Sequence, residues 1–200
     1  NMYQLTFSPV SPYVRKVRLA SYLSEITDQI DLVSPKSKVF EEIKSKNPLA
    51  KIPVLIKENG DYLFDSRVII DFFNRQNGLL IPEQERDLVL TRSALSEGIM
   101  DAALLFVYSS RYSGGKEPSK VWQELQLSKI KNSLTFFNRD ILNWNFQTKF
   151  NVSHIGLIVA LDYLDFRNVF QWKNDLKNLL DWHGKIKDEL PGYIDTFPKD

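Results

Sequence analysis

No cysteine occurs anywhere in the 200 residues. That absence excludes disulfides, thiolate metal sites and any chemistry that needs a protein thiol as nucleophile. It also fits a reducing compartment. Histidine is nearly as scarce: His154 and His183 stand far apart, without acidic or cysteine companions at ligand spacing, so no metal site is expected. No apolar run approaches the ~18 residues of a membrane span. A basic-then-apolar secretion signal is missing at the N-terminus, and Met2 reads as the native initiator with Asn1 ahead of it. Neither charge dominates, since 26 Lys and Arg face 25 Asp and Glu for a net charge of +1. The two signs are interspersed, as in Lys173-Asn174-Asp175-Leu176-Lys177, leaving no basic stripe for nucleic acid. Gly114-Gly115-Lys116 lacks the flanks of a phosphate loop and reads as an interhelical connection. No serine-centred nucleophile elbow is present either. The expectation is a soluble, cytoplasmic protein with neither nucleic acid nor membrane as partner.

What is there is a composition of 43% hydrophobic and 26% charged residues, enough for an ample core in one large domain or two small ones. The first third alternates short strand and helix signals. Tyr3 to Phe7 reads as a strand, Val14 to Leu23 as a helix, and Ile30 to Val33 as a second strand. Ile52 to Ile56 and Tyr62 to Phe64 flank Asn59-Gly60, a strong hairpin signal. A helix follows from Asp65-Ser66, with Val68, Ile69, Phe72 and Phe73 at helical spacing and Asn77-Gly78 as its stop. From Glu83 onward only long helical patterns remain: Glu83 to about Tyr112, Pro118 to about Leu142, Asn151 to Asp165, and Trp172 to Glu189. The spacing predicts βαβ-ββα over residues 2–78, a linker at 79–82, and an all-helical domain over 83–200.

Three features carry chemistry. Ser11 is a good N-cap and Pro12 suits the first helical position, so the hydroxyl sits where free N–H donors and a partial positive charge stabilise an anion. In Lys51-Ile52-Pro53-Val54 the proline opens a strand within a thioredoxin-like order of elements, a setting that suits a cis bond. Such a bond turns the backbone N–H and C=O of Ile52 outward, where a peptide can pair with both; a trans proline at a strand start is the plainer alternative. Asp65-Ser66 opens a helix whose N–H groups and hydroxyl suit a carboxylate, while the Asp65 carboxylate suits an ammonium, together an α-amino-acid head group. A purely structural capping pair is the other reading.

Taken in order, Ser11-Pro12-Tyr13-Val14-Arg15-Lys16-Val17, Asn47-Pro48-Leu49-Ala50-Lys51-Ile52-Pro53-Val54-Leu55, Phe64-Asp65-Ser66, Leu161-Asp162-Tyr163-Leu164-Asp165-Phe166-Arg167 and Trp182, Pro191, Thr196 and Pro198 resemble the cytosolic glutathione S-transferases. The nearest likeness is to bacterial serine-type members with a Ser-Pro-Phe/Tyr-Val-Arg-Lys motif. The resemblance implies an α+β thioredoxin-like N-terminal domain followed by an all-α C-terminal domain, and a glutathione transferase acting as a homodimer. It implies that Ser11 donates a hydrogen bond to the glutathione sulfur and favours the thiolate. Ile52 would pair with the cysteinyl unit beside a cis Pro53, Asp65 and Ser66 would hold the γ-glutamyl head, and Lys51 would lie near the glycyl carboxylate, with Lys38 second to it. The family often builds its electrophile pocket from the first long helix, which singles out Tyr108, Arg111 and Tyr112 together with Tyr13. Glutathione is the implied co-substrate, without a metal.

The resemblance has departures and leaves alternatives. His154 stands where the family's capping box usually has Asp, so a weaker or rearranged cap is expected after Asn151. Leu190-Pro191-Gly192 replaces an Arg-Pro-Ser, a change expected to touch only a surface contact. The same site also serves glutathione-dependent peroxide reduction or isomerisation. The same fold also serves non-catalytic interaction proteins of the stringent-starvation type, whose glutathione site is commonly impaired.

Overall fold

The computed structural model describes residues 2–144 and 149–199. Asn1, and Asp200 at the end of the expected helical domain, lie outside the described residues. Strands β1 (Tyr3–Thr6), β2 (Ile30–Val33), β3 (Leu55–Ile56) and β4 (Tyr62–Leu63) form one sheet in the order β2-β1-β3-β4. β1 runs parallel to β2, and the β1–β3 and β3–β4 pairs are antiparallel. The Asn-Gly hairpin forms as its residues dictate: Gly60 takes a φ of +86, and the Asn59 side chain accepts from the Asp61 N–H at 3.0 Å.

Helices α1 (Pro12–Leu23) and α3 (Ser66–Asn77) pack on one face of the sheet, and a short α2 (Phe40–Lys44) covers the other. Periodicity does not reveal α2, because it is little more than one turn. It buries only Phe40 and Ile43, against Val33 and Val54. In α3 the buried stripe is Ile69, Ile70, Phe73 and Asn74. Val68, which shares the helical spacing, lies off this stripe and is 45% exposed. Asn74 holds the next segment in place, its Oδ1 accepting from Leu80 N and Ile81 N at 3.1 and 2.9 Å. The stretch 79–82, which ends at Pro82, therefore drives Leu80 and Ile81 into the core.

The helical region comprises α4 (Arg86–Arg111), α5 (Lys120–Asp140), α6 (Val152–Phe166), α7 (Lys177–Glu189) and α8 (Tyr193–Thr196). The last long helix starts five residues later than Trp172, because 172–176 turn before it. α6 is buried continuously from Val152 to Leu164, as expected of a helix that is apolar all round. It crosses α4 closely enough that a Cβ on Gly156 would lie 3.0 Å from Ser96 Cβ. One apolar cluster joins the sheet, α1, α3 and these helices. Among the described residues no helix is long and apolar enough to cross a membrane.

Two expectations are corrected here. The cap of α6 is not weakened: Asn151 Oδ1 accepts from Ser153 N at 2.9 Å, and His154 Nδ1 accepts from Asn151 N at 3.1 Å. A neutral imidazole replaces the carboxylate of the box. Burial, reinforced by the Arg92 charge, lowers the His154 pKa to about 4. Nor is Gly192 a surface detail. It has a φ of +79, and a Cβ there would lie 2.3 Å from Tyr22 Cδ2, so the Tyr22 ring takes the room of a side chain.

Both corrections are testable. The folded state holds His154 neutral while the unfolded chain protonates it near 6.5, so stability falls as pH drops from about 6.5 to about 4. The contribution is on the order of 3 kcal/mol. His154→Gln keeps an acceptor without the titration, and denaturant melts from pH 7.5 to 4 should show a flatter acid limb than the wild type. Gly192→Ala should cost roughly 1–3 kcal/mol in thermal unfolding. In the Tyr22→Ala background that cost should shrink to the backbone penalty alone.

Candidate functional site

Ser11 precedes α1 with extended dihedrals (φ −74, ψ 121), and its Oγ accepts from Val14 N at 3.3 Å. The capping bond uses the oxygen as acceptor, which leaves the hydroxyl proton without a partner among the described residues. The hydroxyl is half-buried and stands at the positive end of α1. The loop before it is held by the C-terminal tail, where Lys199 N donates to Pro9 O at 3.3 Å.

The Ile52–Pro53 peptide is cis, as the sequence suggested. Thr6 ties the next residue to β1: Thr6 N donates to Val54 O at 3.0 Å, and Val54 N donates to Thr6 Oγ1 at 2.7 Å. On the other side, Asn47 Nδ2 donates to Lys51 O at 3.1 Å. Between these anchors neither the N–H nor the C=O of Ile52 makes a hydrogen bond among the described residues. β3 begins only at Leu55, two residues after Pro53, so Ile52 is an open backbone edge. Lys51 and Lys38 are exposed on loops.

Asp65 caps α3, its Oδ1 accepting from Arg67 N at 3.0 Å. The Arg67 guanidinium also grips the carboxylate, Nη2 to Oδ2 at 2.7 Å. Partial burial pushes the Asp65 carboxyl up, but the Arg67 hydrogen bonds and the Arg67 and Lys16 charges outweigh it and hold the group below the usual carboxylate range. Ser66 is fully buried, and its Oγ has no partner among the described residues. A buried orphan hydroxyl at a helix start is costly by itself and fits an acceptor still to come.

The four residues expected around the electrophile make two sets of contacts. Tyr13 donates to Asp101 Oδ1 on α4 at 2.5 Å. Burial and that hydrogen bond push its phenol far above the usual tyrosine range. Its hydroxyl is committed to joining α1 and α4. Nearby, buried Lys16 pairs with Glu97 of α4. Tyr108, Arg111 and Tyr112 do cluster at the end of α4. The two rings meet edge-on at 5.1 Å, and the Arg111 guanidinium lies 5.3 Å from the Tyr108 centroid. Tyr112 is largely exposed, at 72%.

Arg18 and Tyr163 were not anticipated, yet both line the crevice beside Ser11, with Thr196 and Pro198. Arg18 follows Ser11 by two helical turns, a spacing visible in the sequence. Tyr163 carries no local signal, because only the packing of α6 brings it there. Behind the crevice, Arg15 Nη1 donates to Asp162 Oδ2 at 2.6 Å. Asp162 Oδ1 meets His183 Nε2 at 2.7 Å and accepts from Tyr193 Oη at 3.2 Å.

Residues 5–80 match the glutathione S-transferase N-terminal domain. An uncharacterized GST-like protein of Escherichia coli (strain K12), YibF, is 30% identical over 173 residues, covering 83% of this chain and 84% of that protein. A glutathione transferase family member from Pseudomonas fluorescens Pf-5, crystallised with bound glutathione, is 31% identical with a TM-score of 0.87. That alignment covers 99% of this chain and all of the other. A glutathione S-transferase from Methylobacillus flagellatus KT with glutathione bound is 29% identical, with a TM-score of 0.86, over 98% of this chain and all of the other. A thioredoxin-like sheet, an open Ile52 edge and likeness along nearly the whole chain converge, and this chain belongs to the glutathione S-transferase family.

Proposed function

We propose that the protein is a glutathione transferase that binds glutathione along Ser11, Ile52, Asp65 and Ser66 and presents its sulfur as a thiolate to a small electrophile. The observation that carries this reading is the Ser11 hydroxyl, oriented as acceptor by Val14 N–H and left with a free proton to donate. Lowering a thiol pKa from about 8.5 to about 6.5 requires roughly 2.7 kcal/mol of preference for the charged form. A charge-assisted hydrogen bond of about 1.5–3 kcal/mol and the end of α1 together supply it. The thiol proton leaves to solvent, and the sulfur lone pair forms the new bond to the electrophilic carbon as that carbon releases its leaving group with the old bonding pair or, in an addition, yields its π pair to a neighbouring electron-withdrawing group.

The remaining residues hold the tripeptide. Ile52 offers one donor and one acceptor in the geometry of strand addition. Asp65 exchanges the exposed Arg67 pair, worth about 0–1 kcal/mol, for the ligand's ammonium. Ser66 lends its N–H and its orphan hydroxyl to the neighbouring carboxylate once the surrounding side chains yield access. Lys51, and behind it Lys38, meets the glycyl end. Tyr108, Arg111 and Tyr112 form the outer part of the electrophile pocket, with Tyr13 beneath it. We place the enzyme in the cytoplasm as a homodimer that joins the N-terminal region of one subunit to helices of the other.

The test is calorimetric titration of glutathione into wild type, Ser11→Ala and Ser11→Gly, with thiolate absorbance of the bound tripeptide followed across pH. The glycine variant retains most of the capping energy and separates fold from chemistry. Binding within a few-fold of wild type, with the bound thiol pKa raised by about 1–2 in both variants, is the expected result. Conjugation at pH 7 should fall about ten- to a hundredfold. Absence of binding at millimolar glutathione would transfer the reading to a non-catalytic interaction protein.

A further inference from the structure

Two long helices finish on an arginine at the outer edge of the site. Arg111 is the last residue of α4, and Arg167 follows α6 directly. Neither makes an ion pair among the described residues. The Arg167 guanidinium lies 5.9 Å from the Tyr163 ring centroid, one helical turn back, and 4.9 Å from that of Phe166. Its Nε is buried without a hydrogen-bond partner.

Tyr163 connects these two cations to Ser11. It is buried and lines the crevice beside Ser11 and Pro12. Burial raises its phenol above the usual tyrosine range, against a hydrogen bond from Arg167 and the charge of Arg111. Tyr163 therefore stands within reach of both arginines and of the capping serine. The surrounding carboxylates are engaged elsewhere. Asp101 accepts from Tyr13, and Glu97 pairs with Lys16. Asp162 pairs with Arg15, and Asp165 with Lys173. Two guanidiniums are thus left without a protein counter-charge among the rings of Tyr108, Tyr163 and Phe166.

A neutral electrophile would use these rings and leave the Arg167 Nε unanswered. An inorganic anion would use the cations and offer the sulfur no carbon to attack. A flat electrophile that carries a carboxylate uses both, because a guanidinium and a carboxylate form paired N–H···O bonds. We infer that Arg167 and Arg111 are specificity residues that select electrophiles bearing a carboxylate group. This inference rests on the glutathione reading of the site. Arg167 is the inner anchor, held at Tyr163, and exposed Arg111 is the outer one.

The probes are S-(4-carboxybenzyl)glutathione and S-benzylglutathione, which differ only in the carboxylate, titrated calorimetrically into the full chain beside glutathione itself. The carboxylated probe should bind about tenfold or more tightly than the plain one. Arg167→Gln should bring that ratio to within about twofold, and Arg111→Gln should lower it about threefold. Arg139→Gln removes the same charge at the opposite end of α4, where Asp140 pairs with Arg92, and should leave the ratio unchanged. A purely structural role for Arg167 would weaken both probes alike and leave the ratio in place, which would overturn the inference. Thermal transitions check that each variant is folded, and the wild-type ratio is read without any variant. Equal binding of the two probes by a protein that binds glutathione would overturn the carboxylate preference alone. Absence of binding by glutathione and both probes at millimolar concentration would overturn the glutathione reading together with it.

Discussion

The buried ion pair between Arg15 and Asp162 fixes the relation between the sheet-bearing region and the helical one. The two side chains are 5% and 3% exposed. Desolvating such a pair repays its cost only when every remaining donor and acceptor is satisfied. Here they are. Asp162 takes bonds from Arg15, His183 and Tyr193, while the guanidinium also reaches Thr196 Oγ1 and Tyr193 O and stacks on the Tyr193 and Phe197 rings. Four helices, α1, α6, α7 and α8, meet at this point. Loss of one partner would strand a buried charge, a defect of about 3–5 kcal/mol. Arg15 lies one turn beyond Ser11, so the pair also sets where the capping hydroxyl stands.

α6 is the member of this junction that everything else packs around. Its burial on all sides requires that its first turn be satisfied from within, and the Asn151–His154 box does so without any charge. A carboxylate at that place would also be acceptable beside Arg92. The imidazole adds ring contacts to Trp144 and Phe150, at 5.2 Å each. The outer helices then close on Trp144, which meets Trp182 of α7 and hydrogen-bonds to Asp140 of α5.

The candidate site gathers groups that have no partner among the described residues: the Ser11 proton, the two Ile52 backbone groups and the Ser66 hydroxyl. Each is held by a neighbour that is fully paired. Val14 N–H fixes Ser11, Thr6 and Asn47 bracket Ile52, and the Arg67–Asp65 clamp covers the start of α3. Tight anchoring around open valences is how a scaffold keeps a ligand site ordered without closing it. The tyrosines divide similarly, Tyr13 serving the α1–α4 contact while Tyr108 and Tyr112 meet each other at the end of α4.

Local chemistry determined the elements whose signals are complete within a few residues. The Ser11-Pro12 start of α1, the Asn59-Gly60 hairpin, the Asp65 cap, the Gly78 stop and the long helices all follow from capping, turn and periodicity rules that act over one or two turns. The family motifs likewise made the order of elements and the candidate site legible, since they lie on those local features. Sequence could not reveal α2, which is too short to have a period. Nor could it assign Val68 and Ile70 to their faces, because adjacent apolar residues satisfy either stripe. The acceptor role of His154, the ring of Tyr22 filling the space over Gly192, the capture of Tyr13 by Asp101 and the arrival of Tyr163 beside Ser11 were decided only by tertiary structure. Each depends on partners brought together by packing from distant parts of the chain, and burial then decides which protonation state and which hydrogen bond survive.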